Sequence, residues 1–102
     1  MIRSMQVARM AEMRGKTVVP HMTGGGLGYL YMLHFTSACP NAGEYHEFKM
    51  FATRDANGNR IPIESKTEPF SSKNGVIKVP QGSGLGIHID PDYIKTHKVL
   101  YG

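Results

Sequence analysis

Lys16-Thr17-Val18-Val19 is a short run rich in β-branched residues, and Pro20 ends its capacity to donate to a ladder, so the run reads as a strand that delivers His21 to its C-terminal tip. Thr23-Gly24-Gly25-Gly26-Leu27-Gly28 follows as a glycine loop. Leu27, Leu30, Tyr31, His34, Phe35 and Ala38 then recur at helical spacing until Pro40 closes the segment. Pro40-Asn41-Ala42-Gly43 reads as a turn, and Glu44-Tyr45-His46-Glu47-Phe48 alternates as a second strand does. Strand, helix and strand in that order make a βαβ unit, which demands a parallel sheet and a right-handed crossover and so places the chain in the α/β class.

Upstream, residues 1–14 carry Ile2, Met5 and Ala8 or Arg9 at helical spacing with Met10 and Met13 set against them, and Gly15 stands where a C-cap glycine would. Arg3, Arg9 and Arg14 among apolar neighbours also fit an amphipathic transit peptide, a reading that Glu12 and the single serine argue against. Downstream, residues 53–60 are a polar loop with Asn57-Gly58 as a tight-turn signal. From Ile61 on, proline, glycine and serine punctuate short strands, clearest at Val76–Val79 and Gly86–Ile89, and Asp90-Pro91-Asp92 opens a helical turn through Lys98. The expected organisation is residues 1–52 holding the βαβ unit, 53–60 as a loop and 61–102 as a tail.

A chain of 102 residues leaves no room for two independent cores. Its net charge of +4 is scattered, never in the run of five or more basic residues that marks a nucleic-acid arm, so nucleic-acid binding is not expected. With 40% hydrophobic and 20% charged residues the composition is globular. The longest mostly apolar stretch, Leu27–Phe35, is about nine residues, less than half the roughly 20 that span a bilayer; no membrane span is expected. Cys39, the single cysteine, excludes a disulfide scaffold and points to a reducing compartment, with the cytoplasm as the default.

Among residues that carry chemistry His21 ranks first. A histidine at the tip of a parallel strand, ahead of a glycine loop, faces the end where α/β folds keep their sites, and imidazole suits proton transfer. The alternative is that it satisfies a loop backbone group. Glu47 lies on the neighbouring strand, about 4.8 Å away in a parallel pair, close enough to share a pocket with His21. Glu44, His46 and Glu47 alternate faces, however, and the sequence does not say which points inward. His34 reads as a buried structural histidine, Cys39 as a small buried hydrophobe, and His88 and His97 as isolated. Gly24-Gly25-Gly26 before a helix offers N–H groups to a carboxylate or phosphate, but matches neither the dinucleotide fingerprint nor the P-loop. Gly82-Ser83-Gly84-Leu85-Gly86 reads as a tight turn, not a nucleophile elbow.

Taken together, Val18-Val19-Pro20-His21-Met22-Thr23-Gly24-Gly25-Gly26-Leu27-Gly28, Pro40-Asn41-Ala42 and Tyr45-His46-Glu47-Phe48 resemble the end of the catalytic barrel in the enolase superfamily, mandelate racemase and muconate lactonizing branch. Val79-Pro80-Gln81-Gly82-Ser83-Gly84-Leu85-Gly86-Ile87-His88-Ile89-Asp90 is similar to that family's closing segment, with Ser83 in place of the usual proline. The resemblance runs over residues 5–95. It implies the C-terminal part of a modified (β/α)7β TIM-type barrel, with a tail returning to an α+β capping domain. Residues 1–14 would be the sixth helix, His21 would end the seventh strand, residues 25–39 would be the seventh helix, and Glu47 would end the eighth strand.

The family's chemistry is abstraction of the proton α to a carboxylate, with the enolate stabilised by Mg²⁺, in acid-sugar dehydratases (lyases) and racemases (isomerases). The resemblance gives His21 the role of general acid or base, paired in the family to an aspartate of the sixth strand. Glu47 would donate a hydrogen bond to the substrate carboxylate, unless a one-residue shift at Gly43-Glu44 puts His46 there. Gly24, Gly25 and Gly26 would contact the substrate. The family's metal carboxylates lie on earlier strands, so no metal ligand is assigned in this chain and the chain alone is expected to be inactive. A two-strand piece with bare edges is expected to self-associate or bind a companion segment. The rival from another class is a non-catalytic remnant or small anion-binding module; weak nucleic-acid association ranks last.

Overall fold

The computed structural model describes residues 1–21, 26–48, 62–65, 67 and 70–96. Several expectations fall outside them: Gly24 and Gly25, the loop 53–60 with Asn57-Gly58, and His97 and Lys98. The chain divides into two compact units, Met1–Ala52 and Thr53–Gly102.

In the first unit α1 spans Ile2–Glu12. Gly15 ends its last turn at φ +61°, with Gly15 N–H donating to the Glu12 carbonyl and Lys16 N–H to the Ala11 carbonyl, both at 2.9 Å. These are the paired bonds of a Schellman turn, which require the left-handed conformation that glycine adopts without cost. Helix α2 spans Gly26–Ala38, and Pro40 stops it by forcing Cys39 out of helical geometry. Ala8, Phe35 and Cys39 form the buried core between the two helices, flanked by Met5, Val18, Met32 and Ala42. The small Ala8 side chain, fully buried, lets α1 approach Phe35 closely.

Two expectations are corrected here. The buried residues of α2 are Gly26, Tyr29, Leu30 and Phe35, whereas Leu27, Tyr31 and Ala38 of the expected stripe are exposed. Apolar residues surround this helix almost completely, so periodicity alone does not choose its inward face. The parallel pairing is present but shorter and earlier than the pattern suggests: Val18 bridges Ala42, and neither residues 16–20 nor 44–48 form a strand. The ladder ends where Gly43 N–H donates to the Val18 carbonyl at 3.0 Å, because the next bond would need an N–H from Pro20, which has none; the Gly43 carbonyl accepts from His46 Nε2 at 2.6 Å instead.

In the second unit β1 (Ile63–Ser65) pairs antiparallel with β2 (Ile87–Ile89), Glu64 opposite His88. Helix α3, Pro91–Thr96, opens as expected: Asp90 Oδ1 accepts from the Asp92 N–H at 2.9 Å, and proline sits where its missing donor does no harm. The turn at 82–86 is tight, with Gly82, Gly84 and Gly86 at positive φ. Val76–Val79 is not a strand; Val76 bridges Lys73 across Asn74-Gly75, whose φ values of +54° and +76° make the hairpin turn. Among the described residues no helix is long and apolar enough to cross a membrane.

Candidate active site

Position in the fold follows from the parallel rung between Val18 and Ala42. His21 lies three residues beyond Val18 and Glu47 five beyond Ala42, so both leave the rung in the same direction. Their side chains meet: His21 Nδ1 stands 2.9 Å from Glu47 Oε2. The imidazole is 72% exposed and the carboxylate 42%, so the pair forms an open edge that a small molecule can reach. An ionised carboxylate only accepts, so a proton resides on Nδ1, and in the neutral imidazole Nε2 is then the acceptor.

Glu47, and not His46, is the residue brought against His21. His46 faces the other way, donating from Nε2 to the Gly43 carbonyl, and its buried Nδ1 has no hydrogen-bond partner among the described residues. The backbone of Glu47 is held from below by its neighbour: the Phe48 ring packs on Tyr29 of α2 at 5.9 Å between centroids, tilted by 53°. Burial pushes the Tyr29 hydroxyl above the ordinary 10.0.

Gly43 permits the close approach of the two segments. A Cβ there would stand 2.6 Å from Val19 Cγ2. Gly26 is buried at the head of α2 with φ +59°, which a side chain would resist. His34 is half-buried within α2, its carbonyl accepting from Ser37 Oγ at 2.9 Å. Cys39 is buried, but its thiol also donates to Asn41 Oδ1 at 3.2 Å. Asn41, read from sequence as a plain turn residue, takes part through its side chain in three hydrogen bonds. The signal available was its placement between two apolar residues, Pro40 and Ala42. His88 opposes Glu64 on exposed positions in the second unit.

A family model described as enolase C-terminal domain-like matches residues 1–93, and the chain therefore belongs to the enolase superfamily, whose C-terminal domain has an α/β fold. The chain is also similar to a D-galactarolactone cycloisomerase of Agrobacterium fabrum, at 31% identity over 95 residues that cover 92% of this chain and 25% of that protein. It thus spans about a quarter of the length of this curated relative. No solved structure matches. Superfamily members generally use Mg²⁺. Among the described residues no group of three or more histidine, cysteine, aspartate or glutamate side chains is placed to hold a metal ion, and His21 with Glu47 is a single base and a single carboxylate. The described residues do not by themselves fit a magnesium site.

Proposed function

We propose that this chain is the C-terminal portion of a Mg²⁺-dependent enzyme that removes the proton α to a carboxylate of a small acid, such as an acid sugar, in the cytoplasm. The observation that carries the reading is the contact of His21 Nδ1 with Glu47 at 2.9 Å. It fixes the tautomer, leaves Nε2 as the proton acceptor on an accessible edge, and supplies a negative charge beside the imidazolium that forms when the proton is taken. The reading departs from the resemblance at Glu47, which orients His21, the task the family gives to an aspartate of the sixth strand. Gly24, Gly25 and Gly26 supply backbone contacts to the acid.

Racemisation and dehydration both begin with that proton transfer, and the relative's name adds isomerisation of a sugar-acid lactone as a third outcome. The barrel's remaining strands, with the metal carboxylates, lie outside these 102 residues in this reading, and the chain alone is inactive, since catalytic groups that act as a unit lose nearly everything when separated. The test is a fusion in which this chain replaces the matching quarter of the Agrobacterium cycloisomerase. A folded fusion is expected to isomerise galactarolactone with Mg²⁺, and His21→Asn to lower kcat by about 10²–10⁴. A folded, active fusion whose turnover survives His21→Asn sinks the assignment.

A further inference from the structure

We infer that Asn41 is a positioning residue, whose side-chain amide sets the register between the segments carrying His21 and Glu47 and so the distance between those two groups. The inference rests on reading that pair as the acting site. Among the described residues the two segments share one rung, built from Val18 N–H to the Asn41 carbonyl at 2.9 Å and Gly43 N–H to the Val18 carbonyl at 3.0 Å. Two bonds specify a register weakly. A slip of one residue shifts a segment by about 3.3 Å and turns alternate side chains to the opposite face, enough to separate His21 from Glu47.

Asn41 supplies what the short ladder lacks. Its Nδ2 donates to the Lys16 carbonyl at 2.9 Å, two residues before Val18, and to the Ala8 carbonyl of α1, also at 2.9 Å. One residue therefore grips the first segment by backbone and side chain and ties both to the helix beneath. The amide's orientation is set as well: the Cys39 thiol donates to Oδ1 at 3.2 Å, so Nδ2 faces the two carbonyls. A flipped amide would oppose oxygen to two oxygens. Only a carboxamide on a one-carbon stem offers both donors here; aspartate has the shape and neither donor.

The test reads the pair itself, in the 102-residue chain labelled with ¹⁵N-histidine, at about pH 8.5 where an ordinary imidazole is neutral. The chain is expected to hold His21 in the Nδ1–H tautomer, and Glu47→Ala to lose it. Asn41→Asp and Asn41→Ala are expected to lose it equally although His21 and Glu47 are both intact, while Cys39→Ala, which leaves the two Nδ2 bonds, keeps it. A folded Asn41→Asp chain that retains the Nδ1–H tautomer overturns the inference. If the variants lose their helical circular dichroism, exchange of the Asn41 side-chain protons in the unsubstituted chain decides. Protection of about tenfold or more over the exposed Asn74 amide supports the clamp, and exchange as fast as Asn74 overturns it. The tautomer is visible whether or not any substrate turns over, so this inference and the catalytic assignment of His21 fail separately.

Discussion

His21 and Glu47 form an ion-pair geometry that contributes little to holding the chain together. With 72% and 42% of the two side chains exposed, water competes for both, and such pairs contribute at most about 1 kcal/mol. His21→Asn and Glu47→Gln, singly and together, are therefore expected to shift the urea unfolding free energy by less than about 1 kcal/mol; a loss of several would make the pair a structural brace. Tyr29 is the opposite case. Burial raises its hydroxyl above 10.0, so the folded chain retains a proton that the unfolded chain releases. The stability this represents is fully present below pH 10 and declines as pH rises through the folded value. Tyr29→Phe removes the ionisable group, and the prediction is a shallower loss of stability in denaturant titrations above pH 10, read against the unsubstituted chain. No change in that slope would show that the hydroxyl is solvated.

At the level of elements, the tail turn offers a controlled comparison. Gly84 and Gly86 have nearly the same backbone, φ +65° and +66°, yet a Cβ at Gly84 meets open space while one at Gly86 would stand 2.7 Å from the Pro80 carbonyl carbon and 2.8 Å from the Gln81 oxygen. Gly84→Ala is expected to cost only left-handed strain, about 1–2 kcal/mol. Gly86→Ala adds an overlap with rigid backbone beside the buried Pro80, a further 1–3 kcal/mol or so. Equal costs in thermal melts would refute the packing account. This turn was legible in the sequence because glycine spacing marks positive φ directly, as were Gly15 and the Asp90-Pro91 start of α3. The face of α2 was not, since a helix apolar all round gives no contrast to read. Register was the deeper gap: alternation in Glu44–Phe48 allowed His46 or Glu47 to face His21, and the choice is made by the hydrogen bond from His46 to Gly43 and by the Asn41 amide, neither of which has a periodic signature. Val76–Val79 failed as a strand for a similar reason, because Asn74-Gly75 closes Val76 onto Lys73 before any longer partner is found.

On the scale of the whole molecule, two forces act between copies of the chain with opposite signs. A net charge of +4 repels them, and exposed apolar side chains attract: Ile2 at 81% and Met13 at 78%, with Val7 and Met10 on α1 and Val19 and Tyr45 near the parallel rung. The attraction scales at about 25 cal/mol per Å² of apolar surface covered, whereas the repulsion is cut off beyond about 10 Å at 0.1 M salt. Apolar contact therefore wins once salt is present. Sedimentation of the chain should show self-association that strengthens from low to moderate sodium chloride, and Ile2→Lys with Met13→Lys should weaken it by removing attraction and adding charge together. An assembly that dissolves as salt is raised would instead be held by its charges. That outcome would return nucleic acid, or another polyanion, from last place among the partners to first.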